Sequence, residues 1–176
     1  MQRKATRTAA EQPQARASAG QGRSRDETTD EAQLSTLIDA SALIALLGNE
    51  PAADEVQEIL RDGAVITAIN LTEAVDRLGR RYSLDVERVR PIVDGLLDDS
   101  LAVMPVTSSE SWRAAEIRIA HYRRTSCPLS LADAVLIACG SPDRRIASSD
   151  SHVLRIAERE DIDVIPLPDS RGRRPD

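Results

Sequence analysis

Short apolar runs alternate with longer helical patterns between residues 34 and 168. The short runs are predicted as five strands: Ser35–Asp39, Ala64–Thr67, Leu101–Val106, Arg145–Ser148 and Asp163–Pro166. The longer patterns are predicted as seven helices: Ser41–Leu47, Ala52–Arg61, Asn70–Arg81, Val86–Asp98, Ser109–Arg124, Leu131–Cys139 and Ser151–Glu160. Because strands separated by helices pair in parallel and carry helices on both faces, the pattern predicts a doubly wound, three-layer α/β domain.

The two ends of the chain differ in composition from this domain. Residues 1–33 are rich in Ala, Gln, Arg, Ser, Thr and Glu and contain almost no large apolar side chains. Such a segment cannot bury enough surface to offset its ordering entropy, so we expect a disordered extension. Residues 169–176 form a polar tail, which leaves residues 34–168 as the folded domain.

Composition limits the classes of function. Aromatic residues are 2% of the chain and the net charge is −6, which argues against nucleic-acid binding through bulk charge but not against a local metal site. The Cys and His residues are too isolated for a zinc motif. No apolar run has the roughly 18 residues of a membrane span, and no secretory signal is apparent, so we expect a cytoplasmic protein.

Four carboxylates lie in otherwise apolar, small-residue stretches. These stretches are TLIDASALIALL, ITAINLTEAV, LSLADAVLIA and RIASSDSHVLRIA, and their acids are Asp39, Glu73, Asp133 and Asp150. Each acid lies where a predicted strand ends or a predicted helix begins. Because a charged group is costly to desolvate, acids in such surroundings need a partner.

Helix capping is the alternative explanation for each acid taken alone. Glu73 follows Asn70 by three residues and Asp133 follows Ser130 by three residues, which is the spacing of a capping box. The other two acids each lie where an N-cap residue is expected. Capping therefore explains Glu73, Asp133 and Asp150 individually at least as well as a functional site does, and Asp39 about equally well.

The four acids together favour a metal site. In a parallel sheet, the carboxyl ends of the strands share one edge, and ligands bind there. An acidic pocket holding Mg²⁺ or Mn²⁺ accounts for all four positions, because hard divalent cations prefer oxygen ligands and accept substrate phosphate. Such an ion supports phosphodiester hydrolysis.

The four motifs resemble those of the PIN-domain family, and most closely its VapC-type ribonuclease toxins. LIDASALIALL, NLTEAVDRL, LSLADAVLIA and SSDSHVLRIA resemble the family's successive motifs over residues 34–167. The resemblance implies a five-stranded parallel sheet of order 3-2-1-4-5, Mg²⁺-dependent cleavage of RNA, a homodimer and inhibition by a cognate VapB-like antitoxin. It also implies that the first and third acids, Asp39 and Asp133, are the metal ligands.

Two features depart from the family pattern. The family usually has Thr two residues before its last acid, whereas this chain has Ser148, which keeps the hydroxyl group. The extension of about 33 residues is longer than such compact toxins usually carry. Ser41 and Asn70 are candidate supporting residues; capping and turn formation is the favoured interpretation for both, and contact with the hydration shell of the ion is the alternative.

Three hypotheses follow. In the first hypothesis, the protein is a ribonuclease toxin in which Asp39 and Asp133 bind Mg²⁺ and Asp150 supports a second ion. Glu73 holds a metal-bound water and assists its deprotonation. The alternatives are a housekeeping RNA-processing PIN nuclease and a non-catalytic PIN-like module that binds RNA or protein. A phosphatase or phospho-receiver is disfavoured for two reasons. Asp39 is followed by Ala40 and Ser41, whereas haloacid-type phosphatases need an Asp-x-Asp motif after the first strand. Both classes normally place a Lys near the phosphate, and the predicted domain contains no Lys.

Overall fold

A computed structural model describes residues 35–83 and 85–175. The disorder predicted for residues 1–33 lies outside these described residues. The strands are β1 (Ser35–Ile38), β2 (Ala64–Thr67), β3 (Leu101–Met104), β4 (Arg144–Ser148) and β5 (Val164–Pro166). The helices are α1 (Ala40–Leu47), α2 (Ala53–Arg61), α3 (Ala68–Tyr82), α4 (Val86–Asp99), α5 (Ser108–His121), α6 (Leu131–Cys139) and α7 (Ser151–Arg159).

The five strands form one parallel sheet in the order β3-β2-β1-β4-β5. The chain therefore leaves β1 in one direction to build β2 and β3, and later returns to the other side of β1 to build β4 and β5. This reversal leaves a crevice at the carboxyl ends of β1 and β4, the usual ligand position in an open α/β sheet. The predicted fold class and strand order are confirmed.

Alternating side chains of the strands build two separate cores. Ile38 and Ala147 face the core formed with α1, α2, α3 and α4, whereas Leu37 and Ile146 face the core formed with α5, α6 and α7. This period-two alternation is what a strand buried on both faces requires. The molecule therefore has the three predicted layers, with the sheet in the middle.

Several element boundaries differ from the prediction. The first strand ends at Ile38 rather than Asp39, and α3 begins at Ala68 rather than Asn70. The helix begins earlier because Thr67, not Asn70, is its N-cap and accepts the backbone N–H of Asn70. The fifth helix ends at His121 instead of Arg124, and residues 123–127 form a short bridged turn.

The described part of the C-terminal tail forms a turn against the domain. Asp169 accepts the backbone N–H groups of Arg171 and Arg173 and the guanidinium of Arg173. Arg174 donates to the carbonyl of Pro166 and to the carboxylate of Glu55 on α2. These contacts fix the tail beside the carboxyl end of β5. No helix in the described residues combines the length and the apolar character that crossing a membrane requires.

Candidate active site

Asp39 lies directly after β1 and is the most buried of the four acids, with 5% of its surface exposed. Its Oδ2 accepts the hydroxyl of Ser41 at 2.7 Å and that of Ser148 at 2.8 Å, and its Oδ1 accepts the amide of Asn70 at 3.3 Å. Asp39 occupies the N-cap position of α1 but makes no side-chain capping bond. Its carboxylate therefore bonds to side chains at the carboxyl ends of the strands and not to the backbone of α1.

Asn70 is fully buried and does not cap a helix, which corrects the interpretation favoured from the sequence. Its side-chain oxygen accepts the hydroxyl of Thr67 at 2.5 Å, and this bond turns the amide nitrogen toward Asp39. Thr67 is not among the site residues predicted from the sequence, although it orients Asn70. A Thr at a strand end before a helix is an N-cap signal, and that signal could have identified it.

Glu73 lies one turn into α3, so the capping box predicted from Asn70 and Glu73 is wrong. Its Oε2 is buried without a hydrogen-bond partner, and Oε1 lies 3.6 Å from the guanidinium of Arg77. Burial raises the pKa of the Glu73 carboxyl, and the negative charges of Asp39 and Asp133 raise it further. An unpartnered carboxylate oxygen near two other acids is a place where a cation or a proton is favoured.

Asp133 forms the capping box predicted at the start of α6. It accepts the backbone N–H of Ser130 at 2.7 Å, and its own N–H donates to the Ser130 hydroxyl at 3.0 Å. Burial raises the pKa of Asp133, the two bonds to Ser130 oppose this rise, and the charges of Asp39 and Asp150 add to it. Asp133 is thus a cap whose pKa also responds to the charges of two other acids.

Asp150 is the predicted N-cap of α7. Its Oδ1 accepts the backbone N–H groups of His152 at 2.7 Å and Val153 at 3.4 Å. The backbone N–H of Asp150 donates to the Ser148 hydroxyl at 3.1 Å, and that hydroxyl donates to Asp39. The Ser148 hydroxyl, which stands where the family usually has Thr, therefore links the first acid to the last.

The donor set fits a hard divalent cation. It offers carboxylate oxygens, one of which is buried and unpartnered on Glu73. The pKa values of Glu73 and Asp133 are raised first by burial and then by the charges of neighbouring acids. Within residues 35–83 and 85–175, no three His, Cys, Asp or Glu side chains are grouped closely enough to form a metal-binding cluster by themselves. Mg²⁺ keeps several of its waters in protein sites, so it needs few direct protein ligands.

The family model of the PIN domain matches residues 36–141, which is more than half of the 176-residue chain. The chain therefore belongs to the PIN-domain family, as its four motifs had indicated. The matched region contains Asp39, Glu73 and Asp133, whereas Asp150 lies beyond it. No curated protein sequence matches this chain significantly.

Solved structures with the same fold include DNA-bound VapBC from Salmonella typhimurium, with 20% identity and a TM-score of 0.56 over 75% of this chain and 97% of that chain. VapBC2 from Rickettsia felis, bound to a DNA fragment from its promoter, shares 12% identity and a TM-score of 0.53 over 74% and 96% of the two chains. FitAcB from Neisseria gonorrhoeae shares 18% identity and a TM-score of 0.51 over 74% and 96%. At these identities the likeness concerns the fold.

Proposed function

We propose that this protein is a Mg²⁺-dependent endoribonuclease, with Mn²⁺ as an alternative ion, and that Asp39, Glu73, Asp133 and Asp150 form its active site. The observation that carries the proposal is the buried, unpartnered oxygen of Glu73 beside the charges of Asp39 and Asp133. If the four acids were purely structural, this oxygen would only destabilise the fold, because a buried polar atom without a hydrogen-bond partner is unfavourable.

Asp39 and Asp133 are the proposed ligands of the ion, and Asp150 supports the same site. The bound ion supplies Lewis-acid chemistry, which neutralises charge on the phosphate and favours ionisation of water. Asp39 is positioned for this role by Ser41, Ser148 and Asn70, which hold both of its oxygens.

Glu73 is the proposed general base. Its raised pKa brings its proton affinity closer to that of a group that accepts a proton near neutral pH. In this role Glu73 orients the attacking water and accepts its proton while the water oxygen bonds to phosphorus. The bond between phosphorus and one ribose oxygen breaks, and that leaving oxygen takes a proton from solvent. If Glu73 were a purely structural acid, its buried Oε2 without a hydrogen-bond partner would have no explanation.

The proposed biological role is that of a toxin in a toxin–antitoxin pair, with a VapB-like antitoxin and a homodimeric state. The resemblance of the four motifs to VapC-type toxins supports this role, and the fold shared with the VapBC structures agrees with it. Growth arrest on expression, relieved by the product of a small adjacent gene, tests the role. Cleavage of RNA without growth arrest would instead favour a housekeeping nuclease.

The enzymatic proposal is tested by incubating purified protein with RNA in Mg²⁺ or in EDTA. We expect cleavage only with the ion, and we expect Asp39→Asn to reduce the rate at least about 100-fold, because loss of one preorganised charge in an active site has an effect of this order. Cleavage by Asp39→Asn at the wild-type rate would rule out the proposed site. Tight RNA binding without any turnover by the wild type would favour a non-catalytic module.

A further inference from the structure

Two adjoining grooves on the surface share one arginine of α7. The first has a volume of about 580 Å³, and the residues that matter for its charge are Arg155, Arg173, Arg174 and Asp169. The second has a volume of about 300 Å³, and its basic residues are His121, Arg123, Arg155 and Arg159. Arg155 and Arg159 are one turn apart on α7, about 6 Å along the helix axis. We call this continuous surface the arginine track, defined by Arg123, Arg155, Arg159, Arg173 and Arg174.

Three arginines of the track have no acidic partner. Arg123, Arg155 and Arg159 form no ion pair with any carboxylate in the described part of the chain. The guanidinium of Arg155 lies 2.5 Å from Nδ1 of its own helix neighbour His152. The other two arginines are held by carboxylates, Arg173 by Asp169 and Arg174 by Glu55. The track therefore presents positive charge on a chain whose net charge is −6.

Another arginine-lined surface lies on α3, but its charges are already neutralised. Arg77 pairs with Glu73 at 3.6 Å, and Arg81 pairs with Glu50 at 2.8 Å. Arg80 pairs with its helix neighbour Asp76. An anion would have to displace these carboxylates, whereas three arginines of the track form no ion pair in the described residues, so the track is the better anion site.

The track begins at the acidic crevice. Ser149 and Ser151 line its first groove and flank Asp150 in the sequence. The backbone N–H of Ser149 donates to the hydroxyl of Ser41 at 3.3 Å, and that hydroxyl donates to Asp39 at 2.7 Å. A strand whose scissile phosphate lies at the four acids can therefore continue directly onto the arginines.

We propose that the arginine track binds the phosphates of the RNA strand next to the scissile bond, with Arg155 and Arg159 as its central phosphate-binding residues. This inference rests on the proposed ribonuclease function. Phosphate contacts position a nucleic-acid strand without reading its sequence, and arginine is suited to them because its planar guanidinium donates two hydrogen bonds to one phosphate. Continuity with the crevice favours RNA over an acidic protein segment as the occupant.

The test is the binding of a fluorescein-labelled, single-stranded RNA of mixed sequence, measured by anisotropy in EDTA so that turnover does not interfere. We expect the double variant Arg155→Gln/Arg159→Gln to bind at least about 10-fold more weakly. Because each phosphate contact adds roughly 0.7 to the salt slope of single-strand binding, we also expect log Kd to depend on log salt less steeply by about 1.4. The variant Arg155→Lys/Arg159→Lys should recover most of the salt dependence, since lysine keeps the charge.

The matched control is Arg88→Gln/Arg90→Gln, which makes the same change in net charge. Both residues are exposed on α4, a helix that contacts β3 at the edge of the sheet farthest from β5. We expect this control to bind RNA like the wild type. Equal weakening in both double variants would show a bulk-charge effect and would overturn the proposal.

Separate measurements distinguish this proposal from the proposed function. If the wild type binds RNA through the track but does not cleave it in Mg²⁺, the ribonuclease function fails and the binding surface stands. If the wild type cleaves RNA and the double variant of α7 binds and cleaves with unchanged Kd and KM, the track is refuted. The track is also refuted if that variant loses only the binding of an acidic protein partner. The expected result is a raised KM with kcat at saturation close to the wild-type value.

Discussion

At the scale of single residues, two of the four acids cap helices with their side chains and two do not. Asp133 and Asp150 make the capping bonds predicted for them. Asp39 accepts three side-chain donors in the crevice, and Glu73 has an oxygen with no donor. The sequence motifs alone could not separate these cases, because an acid at a helix start has the same local pattern whether or not it caps the helix.

The raised pKa of Glu73 has a consequence for stability as a function of pH. Below the ordinary glutamate pKa of about 4.3, Glu73 is protonated in both the folded and the unfolded state. As pH rises, Glu73 loses its proton at a lower pH in the unfolded state than in the folded state, because its folded pKa is raised. The free energy of unfolding of the metal-free wild type therefore decreases up to the folded pKa, whereas a neutral Gln at this position contributes no such decrease. We therefore expect Glu73→Gln to gain stability relative to the wild type as pH increases from about 4 to 8.

Chemical denaturation in EDTA at several pH values measures this difference. The matched control is Glu116→Gln on α5, where the side chain is exposed and makes no ion pair in the described residues. Its stability difference should not change in the same way with pH. We also expect Mg²⁺ to reduce the advantage of Glu73→Gln at pH 8. A pH-independent difference for Glu73→Gln would contradict the electrostatic description of the site.

At the scale of elements, the order and type of strands and helices could be predicted because their periodicity is strong. The alternation of Leu37 with Ile38 and of Ile146 with Ala147 between two cores is visible in the apolar runs. The start of α3 was missed because both Thr67 and Asn70 are plausible caps. The bond from Ser148 to Asp39 spans 109 residues, so only the assembled sheet reveals it.

The start of α3 also controls the site, because Thr67 both caps the helix and orients Asn70. We expect Thr67→Val to lower the free energy of unfolding by about 1–2 kcal/mol, since it removes an N-cap and leaves buried polar groups unpaired. We also expect slower RNA cleavage, because the Asn70 amide would no longer be directed at Asp39. Urea denaturation and single-turnover kinetics measure the two effects.

The control for this change is Thr72→Val on the same helix. Thr72 is exposed, and its hydroxyl only donates to the carbonyl of Ala68. Its loss should change stability by less than about 0.5 kcal/mol, as is usual for exposed positions. If both variants behave alike, Thr67 has no special role in positioning the site.

At the scale of the whole molecule, the acidic net charge conceals a local separation of charge. The proposed site combines four acids at the carboxyl ends of the strands, whereas the proposed arginine track runs along α7 and the tail. The tail was predicted only as a polar end, because its position depends on the bond from Arg174 to Glu55, which is 119 residues away. Long-range contacts of this kind leave no local pattern in the sequence.

The exposed face of α5 is the candidate surface for the proposed homodimer. Trp112 is 74% exposed and Ile119 is 81% exposed, and their spacing of two helical turns places them on one face. Trp112 therefore does not pack into the core of this chain. Because large apolar side chains on one exposed face indicate a partner, we expect Trp112→Glu/Ile119→Glu to convert a dimer into a 19.2 kDa monomer.

Light scattering after gel filtration measures this change in mass. The control Val86→Glu/Ile92→Glu introduces the same charges at two other exposed apolar positions, on α4. It should remain dimeric. A monomeric wild type, or a dimer that survives the α5 substitutions, would show that this face is not the interface.

The central proposal is that Asp39 and Asp133 hold a divalent cation, and Mn²⁺ binding followed by electron paramagnetic resonance tests it most directly. We expect the wild type to reduce the signal of free Mn²⁺ and Asp133→Asn to bind at least about 10-fold more weakly, although asparagine still accepts the capping bond at Ser130. Ser130→Ala, which removes the other half of the cap and keeps the carboxylate, should cost about 1 kcal/mol of stability and still bind Mn²⁺. Equal Mn²⁺ binding by the wild type and Asp133→Asn, or no binding by the wild type, would contradict the metal site.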